Sequence, residues 1–481
     1  MKLKEIVGQD AINIIGNENV EVLGITNKTD EVCAGYVFVA ITGQNVDSHT
    51  LVPDTIARGA VAVVVERPLV GVRAVQVVVK NSRIALSKFA SAFFGHPERK
   101  MKMIGVTGTN GKTTTTHMIY HILNSSGIKC GVVGTSGCKW EGEELNFGMT
   151  TPDPVDLEKT LYLMQKDGVK AVAMEVSAHA LDLEKTASIV FDVAIFTNLT
   201  RDHFDYFGTM EKYKEAKQKL FWPSKCHHAI VCTDDECGKE LFDQIICSKT
   251  SYGITQAQNE IESIKLTKSG QEFVVKNNSL EQKFFIPLFG DYNTKNTLAA
   301  YLAAKHLGIP SQKALSCLRH LPKIEGRYET FFKNNGGMVI IDYAHTPDGL
   351  QNLLESAKQI ADSEGGRLIS LFGCGGNRDT GKRAQMGEIS EKFATFSIVT
   401  SDNPRLEDPN SIISDVVEHM NKFSYVRVAN RADAVNLGVK MLFSNDVLVV
   451  AGKGNESYID INGQKLNYSD KETVKKCIDL L

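Results

Sequence analysis

The sequence predicts an α/β fold in three domains: a smaller N-terminal α/β domain, a central parallel-sheet domain built on a phosphate-binding loop (P-loop), and a C-terminal doubly wound, Rossmann-like domain. Three observations predict it. Strand and helix patterns alternate from about residue 99 to 330, a second series of strands ending in polar clusters begins near Phe331, and a length of 481 residues accommodates about three domains.

Residues 1–98 carry three strand-like runs, Tyr36 to Ile41, Val61 to Glu66 and Val75 to Lys80, and then a helix running toward Phe94. Gly95-His96-Pro97-Glu98 reads as a linker. The expected divisions are therefore 1–98, 99–330 and 331–481.

In the second segment the run Ile104-Gly105-Val106-Thr107 meets Gly108-Thr109-Asn110-Gly111-Lys112-Thr113, and a helical pattern follows with Met118, Ile119, Ile122 and Leu123 on one face. This reads as a phosphate loop. Its glycines let backbone N–H groups crowd round a phosphate, Lys112 reaches terminal phosphates, and the Thr113 hydroxyl suits magnesium at a helix N-terminus. Val106 stands where the usual pattern has a glycine, five residues before Gly111. An ordinary glycine turn is the alternative.

The apolar run Ala171 to Met174 ends in Glu175, a carboxylate at a strand end and the first candidate for a metal. After Val193 to Phe196 comes Thr197-Asn198-Leu199-Thr200-Arg201-Asp202-His203-Phe204-Asp205, in which a neutral His203 suits a further ligand role. A solvated polar loop is the plain reading of that run. If Thr209 caps a helix, Tyr213, Ala216, Leu220 and Phe221 form its buried face and Lys217 shares that face. Spacing alone favours a lysine whose stem lies on the core and whose ammonium stays in water; burial would make its neutral amine available.

In the third segment the strands Met338 to Ile341, Leu368 to Phe372, Phe396 to Thr400 and Val447 to Val450 each run into a polar cluster, which places four clusters at one sheet edge. Asp342-Tyr343-Ala344-His345-Thr346-Pro347 precedes a helix with Leu350, Leu353, Leu354 and Ala357 on one face, so Asp342 or His345 could meet a ribose or base. Arg378, Asp402, Arg405 and Glu456 supply both charge signs at strand ends, as an amino-acid pocket requires. Tight turns alone would also account for glycines there.

Composition narrows the rest. A formal net charge of −3 with no strong block of either sign argues for no nucleic-acid groove and no membrane surface. There is no apolar run of transmembrane length and no signal-peptide core at Met1 to Ile6, and ten scattered cysteines suit a reducing cytosol, so a cytoplasmic protein is expected. Cys226, His227, His228, Cys232 and Cys237 cluster, yet their spacing gives little support to zinc.

Taken together, Thr107 to Thr113, Glu175-Val176-Ser177-Ala178-His179, Asn198 to Asp205, Asn293-Thr294-Lys295-Asn296, Gly326-Arg327-Tyr328-Glu329 and Asp342 to Pro347 resemble the Mur ligase family, the ATP-dependent enzymes that build the peptide stem of bacterial peptidoglycan. Asp402-Asn403-Pro404-Arg405 looks like the signature of members that select meso-2,6-diaminopimelate over L-lysine, since a guanidinium favours the second carboxylate. The resemblance implies ATP and Mg2+ as cofactors. It also implies UDP-N-acetylmuramoyl-L-alanyl-D-glutamate as acceptor, an acyl-phosphate route to the amide, and a monomer.

Carried over residue by residue, the resemblance puts Gly108, Thr109, Asn110, Gly111, Lys112, Thr113, Asn293, Asn296, Arg327, Asp342 and His345 on ATP. Lys112, Lys217, Glu175 and His203 are the implied catalytic set, with Thr113, Glu175, His203 and a carbamylated Lys217 around metal. Asn27, Thr150, Thr151, Ser177 and Lys185 are implied for the acceptor, and Arg378, Asp402, Asn403, Arg405, Gly452 and Glu456 for the amino acid. The departures fall mostly on the acceptor side: Asn27-Lys28 replaces a Ser-Arg pair, Ala178 a serine, Ala180 a glycine, and Leu183 and Lys185 a glutamine and an arginine. In the amino-acid pocket Asn377 and Asn455 replace a common aspartate and histidine, whereas Asp47-Ser48-His49 keeps its likeness to the uridine region. The rival readings are a paralogous ligase with another carboxylate acceptor or with L-lysine as the amino acid, a folyl-polyglutamate type ligase, and a nucleotide-dependent switch.

Overall fold

The computed structural model describes residues 1–43, 46–267, 269–278 and 280–480. The chain forms three main sheets. The first is five-stranded in the order Ala11–Ile15, Val75–Val79, Ala62–Val65, Tyr36–Val39, Gly24–Thr26, parallel except for the edge strand Ala11–Ile15. Sequence reading found three of these five. Gly24–Thr26 is too short to show a period, and Ala11–Ile15 has an irregular register with its partner and an exposed Ile12, which blurs its alternation.

The central sheet has eleven strands. Seven run parallel in the order Asn259–Thr267, Ser248–Gly253, Cys226–Cys232, Phe191–Phe196, Lys102–Thr107, Ala171–Glu175 and Cys130–Gly134. Antiparallel strands extend both edges, Gly270–Asn277 with Leu280–Ile286 on one side and the hairpin Gly137–Trp140 with Glu143–Leu145 on the other. The middle strands are apolar throughout because both faces are covered. Ile104 and Val106 face the core of the helices Lys112–Ser125 and Asp291–His306, whereas Met103 faces the core of Pro154–Lys166.

The third sheet has six strands in the order Glu329–Phe332, Met338–Asp342, Val447–Ala451, Leu368–Phe372, Phe396–Thr400, Tyr425–Val428, all parallel but the first. The helix Pro347–Ser363 buries Leu350, Leu353, Leu354 and Ala357 against it, and Thr346 caps that helix by accepting the Gly349 N–H. The four polar clusters read from the sequence thus leave one edge of one sheet.

Candidate active site

The strand Lys102–Thr107 turns sharply at Gly108 (φ 150°) and Gly111 (φ 86°) before the helix that starts at Lys112. Only glycine fits either position. A Cβ on Gly108 would collide with the Thr197 hydroxyl and one on Gly111 with the Asn296 Oδ1, so the loop lies pressed between a neighbouring strand end and the helix Asp291–His306. Asn198 Oδ1 accepts the Asn110 N–H at 2.9 Å and further fixes the turn.

Two lysines meet this loop. Lys112 Nζ donates to the carbonyls of Gly108 (2.9 Å) and Thr109 (2.8 Å), and Lys217 Nζ donates to the Gly108 carbonyl at 2.7 Å. Thr209 does cap the helix Met210–Gln218, and Tyr213, Ala216, Leu220 and Phe221 are buried. The ammonium of Lys217, however, does not reach water as spacing alone suggested: the residue is 2% exposed and its Nζ stands 4.3 Å over the Tyr213 ring. Burial first, then the nearby Lys112 charge, hold its pKa well below the ordinary lysine value. Burial lowers that of Lys112 as well, with Glu175 and Asp202 opposing.

Both lysines line a cavity of about 360 Å³. Thr109, Asn110, Gly111, Thr113, Glu175, His203, Asn296, Arg327, Asp342 and His345 line it too, as do Thr150 and Ser177. Asn293 stands behind the wall, where its Oδ1 accepts from Asn296 Nδ2 at 3.2 Å. Glu175 is 1% exposed and oriented by Thr135, whose N–H donates to Oε1 (2.9 Å) and whose hydroxyl donates to Oε2 (3.1 Å). Arg327 Nη2 donates to the Thr113 hydroxyl at 2.9 Å, and its guanidinium stacks on Tyr343 at 4.4 Å. His203 Nε2 lies 3.3 Å from Asp202 Oδ2, and burial draws the imidazole pKa down to about 3, which keeps it neutral.

Several lining residues escaped the sequence reading. Asp202 and Tyr343 sit in quoted motifs but carry no spacing signal of their own, and Thr135 lies in a hairpin turn that no local pattern distinguishes. Tyr292 Oη and Arg327 Nε are buried with no hydrogen-bond partner among the described residues. Unpaired buried donors on a cavity wall suit a polar ligand. Glu175 and the Thr113 hydroxyl offer hard oxygens on the same wall, a donor chemistry that fits magnesium.

Of the acceptor candidates, Thr150 and Ser177 are on this lining and Thr151, Lys185 and Asn27 are not. Thr151 donates to the Glu175 carbonyl at 2.9 Å, Ser177 caps the helix Ala178–Asp182, and Lys185 pairs with Asp153 at 2.8 Å. Asn27 is half-buried next to Lys28, which reaches Asp156 at 3.4 Å and so links the first sheet to the central one. In the uridine-like stretch, His49 Nδ1 lies 2.6 Å from Asp47 Oδ1 and its Nε2 accepts the Glu66 N–H.

The six amino-acid candidates stand outside the cavity lining, at the shared edge of the third sheet. Asp402 and Asn403 follow Phe396–Thr400, and Gly452 (φ 117°) follows Val447–Ala451 with no room for a Cβ beside Asp402 Oδ2. Arg405 donates to the Gly376 carbonyl at 2.7 Å. Arg378 pairs with Asp205 at 3.0 Å and Arg201 with Asp379 at 3.0 Å, so this edge faces the central domain's His203 loop. The cysteine cluster is differently used: Cys226 Sγ lies 3.6 Å from Cys247 Sγ, and both nitrogens of His228 meet hydroxyls, of Ser248 (2.9 Å) and Thr250 (3.2 Å).

A phosphate loop in a parallel sheet, facing the strand ends of a second parallel sheet that supplies Asp342, Tyr343 and His345 to the same cavity, defines a nucleotide-dependent enzyme. Residues 106–304 match the Mur ligase middle domain and residues 326–454 the Mur ligase glutamate ligase domain. The chain belongs to the Mur ligase family, whose members are ATP-dependent, ADP-forming amide ligases. It is 38% identical over 486 residues to the UDP-N-acetylmuramoyl-L-alanyl-D-glutamate--2,6-diaminopimelate ligase of Clostridioides difficile (strain 630), covering 99% of each chain. The Aquifex aeolicus (strain VF5) ligase of the same name is 39% identical over 95% of this chain and 94% of its own. A solved structure of that name aligns with TM-score 0.72 and 29% identity over 100% of this chain and 99% of the other. A MurF ligase from Thermotoga maritima in complex with ADP shares the fold, with TM-score 0.64 and 17% identity over 96% of this chain and 97% of the other.

Proposed function

We propose that this chain joins meso-2,6-diaminopimelate to UDP-N-acetylmuramoyl-L-alanyl-D-glutamate at the cost of ATP, in peptidoglycan synthesis. The observation that carries the reading is full-length similarity to ligases of that name, with Asp402-Asn403-Pro404-Arg405 at the sheet edge that faces the phosphate-loop cavity.

Residues 1–98 bind the UDP-muramoyl acceptor in this reading, 99–330 ATP and 331–481 the amino acid. A D-glutamyl carboxylate oxygen attacks the γ-phosphorus, the bond to the bridging oxygen breaks, and ADP leaves. The amine nitrogen of diaminopimelate then attacks the acyl carbon, the C–O bond breaks, and phosphate departs with loss of an amine proton. Such transfers depend on positioning and charge neutralisation more than on covalent help. Lys112 and the loop N–H groups hold the phosphates, and Arg327 adds a second cation from the segment that leads into the third sheet. Asn296, Asp342 and His345 hold the nucleoside, with Asn293 orienting Asn296 from behind the wall. Thr113, Glu175 and His203 would hold magnesium, which would neutralise phosphate charge; a carbamylated Lys217 would add an anion beside them. Asn27, Thr150, Thr151, Ser177 and Lys185 position the acceptor. Arg405 and Arg378 meet the distal carboxylate of diaminopimelate, and Asp402 and Glu456 its ammonium. The nucleotide-linked substrates place the enzyme in the cytoplasm, and we propose that it acts as a monomer.

The test is phosphate release from ATP and magnesium with the muramoyl dipeptide, comparing meso-diaminopimelate, L-lysine and no amino acid, with product mass read alongside. Release and a mass gain with diaminopimelate alone is the expected result. Product with lysine alone overturns the specificity, and no product from protein that binds ATP points to another carboxylate acceptor.

A further inference from the structure

Lys453 is fully buried (0% exposed) directly after Gly452, at the end of the strand Val447–Ala451. Its Nζ donates to Asn403 Oδ1 at 2.9 Å and to Glu456 Oε2 at 3.0 Å. Asn403 Nδ2 closes the ring by donating to the same Oε2 at 3.0 Å, and the Asp460 N–H donates to Asn403 Oδ1 at 3.0 Å. Asn403 therefore cannot flip its amide without losing three bonds.

We infer that Lys453 is a positioning residue of the amino-acid pocket, fixing Asn403 and Glu456 in the orientation in which they meet diaminopimelate; the inference rests on the function proposed above. Oε2 takes both bonds of the ring, which leaves Oε1 as the Glu456 oxygen turned to a ligand. A glutamate on a strand-end turn otherwise samples several rotamers in water, and a charge-assisted bond to a buried ammonium removes that freedom before substrate arrives. The ammonium also balances one of the two pocket carboxylates. Asp402, 4.0 Å from the Arg431 guanidinium, then stands as the other pocket carboxylate beside the cations Arg405 and Arg378, so charges of both signs meet a zwitterionic amino-acid end and not a lone ammonium. Lys453 does not line the nucleotide cavity, so its effect separates from ATP binding.

The experiment measures KM for diaminopimelate, ATP and the muramoyl dipeptide in full-length K453M and K453R. K453M is expected to raise KM for diaminopimelate about tenfold or more with KM for ATP within about twofold, and K453R, which keeps the charge, to raise it less. A diaminopimelate KM within about twofold of the parent in K453M, or an equal rise in all three constants in both variants, overturns the inference. If K453M does not fold, K453R decides: a selective rise in diaminopimelate KM supports the positioning role and an unchanged value refutes it. A parent enzyme that forms no product with diaminopimelate refutes the proposed function itself, a result distinct from either.

Discussion

The buried ammonium of Lys217 donates to the carbonyl of Gly108, 109 positions earlier in the chain, at 2.7 Å, and so joins the helix Met210–Gln218 to the first turn of the phosphate loop. This places Lys217 on the cavity wall together with Glu175 and His203, beside Tyr213 of the same helix, whose hydroxyl lies 3.3 Å from that of Thr109. If its role is that of a carbamate, activity depends on dissolved carbon dioxide. Enzyme in carbon-dioxide-stripped buffer is expected to lose most of its turnover and to regain it with bicarbonate, and intact-protein mass to show the gain of one carbon dioxide. K217M is expected to lower kcat by about a hundredfold, with ADP affinity within about threefold by calorimetry. Full activity in K217M removes the role.

Gly111 and Gly127 share a left-handed backbone, with φ 86° and 83°, but differ in surroundings. A methyl at Gly111 strikes Asn296, whereas one at Gly127 meets nothing within 4 Å. Both alanine variants incur a strain of about 1 kcal/mol from φ alone. Only G111A is expected to lose ATP binding, by at least about tenfold in Kd, because the loop must shift to admit the methyl. Equal nucleotide affinity in the two variants counts against the loop's role.

Arg327, just before the strand Glu329–Phe332 of the third sheet, reaches the helix that begins at Lys112 through the Thr113 hydroxyl, and its Nε has no partner among the described residues. A planar guanidinium that holds the Thr113 hydroxyl, stacks on Tyr343 and keeps a further donor for a ligand is not replaced by a lysine. R327K is expected to raise KM for ATP about tenfold while leaving that for diaminopimelate unchanged. A rise in diaminopimelate KM instead would move Arg327 to the other substrate.

Much of this architecture is legible in the sequence because buried parallel strands are short, nearly continuous apolar runs, and Ile104 to Thr107, Ala171 to Met174 and Leu368 to Phe372 stand out for that reason. What is illegible is what depends on distant partners. Thr135 orients Glu175 across 40 positions, Asn296 closes on Gly111 from a helix far along the chain, and neither has a local pattern. Lys217 is the clearest case: helical period puts it on the buried face, but only the tertiary placement of the Gly108 carbonyl shows that its ammonium is buried too. Ala11–Ile15 and Gly24–Thr26 were missed for want of length and alternation.

His228 gives a pH dependence. Burial draws its pKa from 6.5 to about 4, with the stacked ring of His306 (centroids 4.0 Å apart) acting in the same direction. The unfolded chain then binds more protons than the folded one between these values, so stability rises with pH across that window. The penalty is absent above about pH 6.5, grows as pH falls, and is complete below about pH 4. The drop in melting temperature from pH 7 to pH 4 is expected to be smaller in H228N than in the parent; an equal drop assigns the acid lability to other groups, of which His117, also drawn down to about 4, is the first candidate.

Arg431 and Asp470 are both 0% exposed and joined by two bonds, Nε to Oδ1 at 2.8 Å and Nη2 to Oδ2 at 2.7 Å. The guanidinium also donates to the carbonyls of Ser401 (3.3 Å) and Ala451 (2.9 Å), which lie at the ends of the two strands that carry Asp402 and Gly452. The pair thus fastens the last helix, Asp470–Asp479, under the amino-acid edge. Removing one member leaves the other's buried charge without its partner, at a cost of about 3–5 kcal/mol, whereas removing both leaves only Asp402, 4.0 Å from the guanidinium, without that cation. R431M is therefore expected to lose that much stability in chemical denaturation, and R431M/D470L to recover part of it. The double variant still lacks the donors to Ser401 and Ala451, so its KM for diaminopimelate should stay raised after stability returns. If affinity returns with stability, the pair holds the helix alone and has no bearing on the pocket.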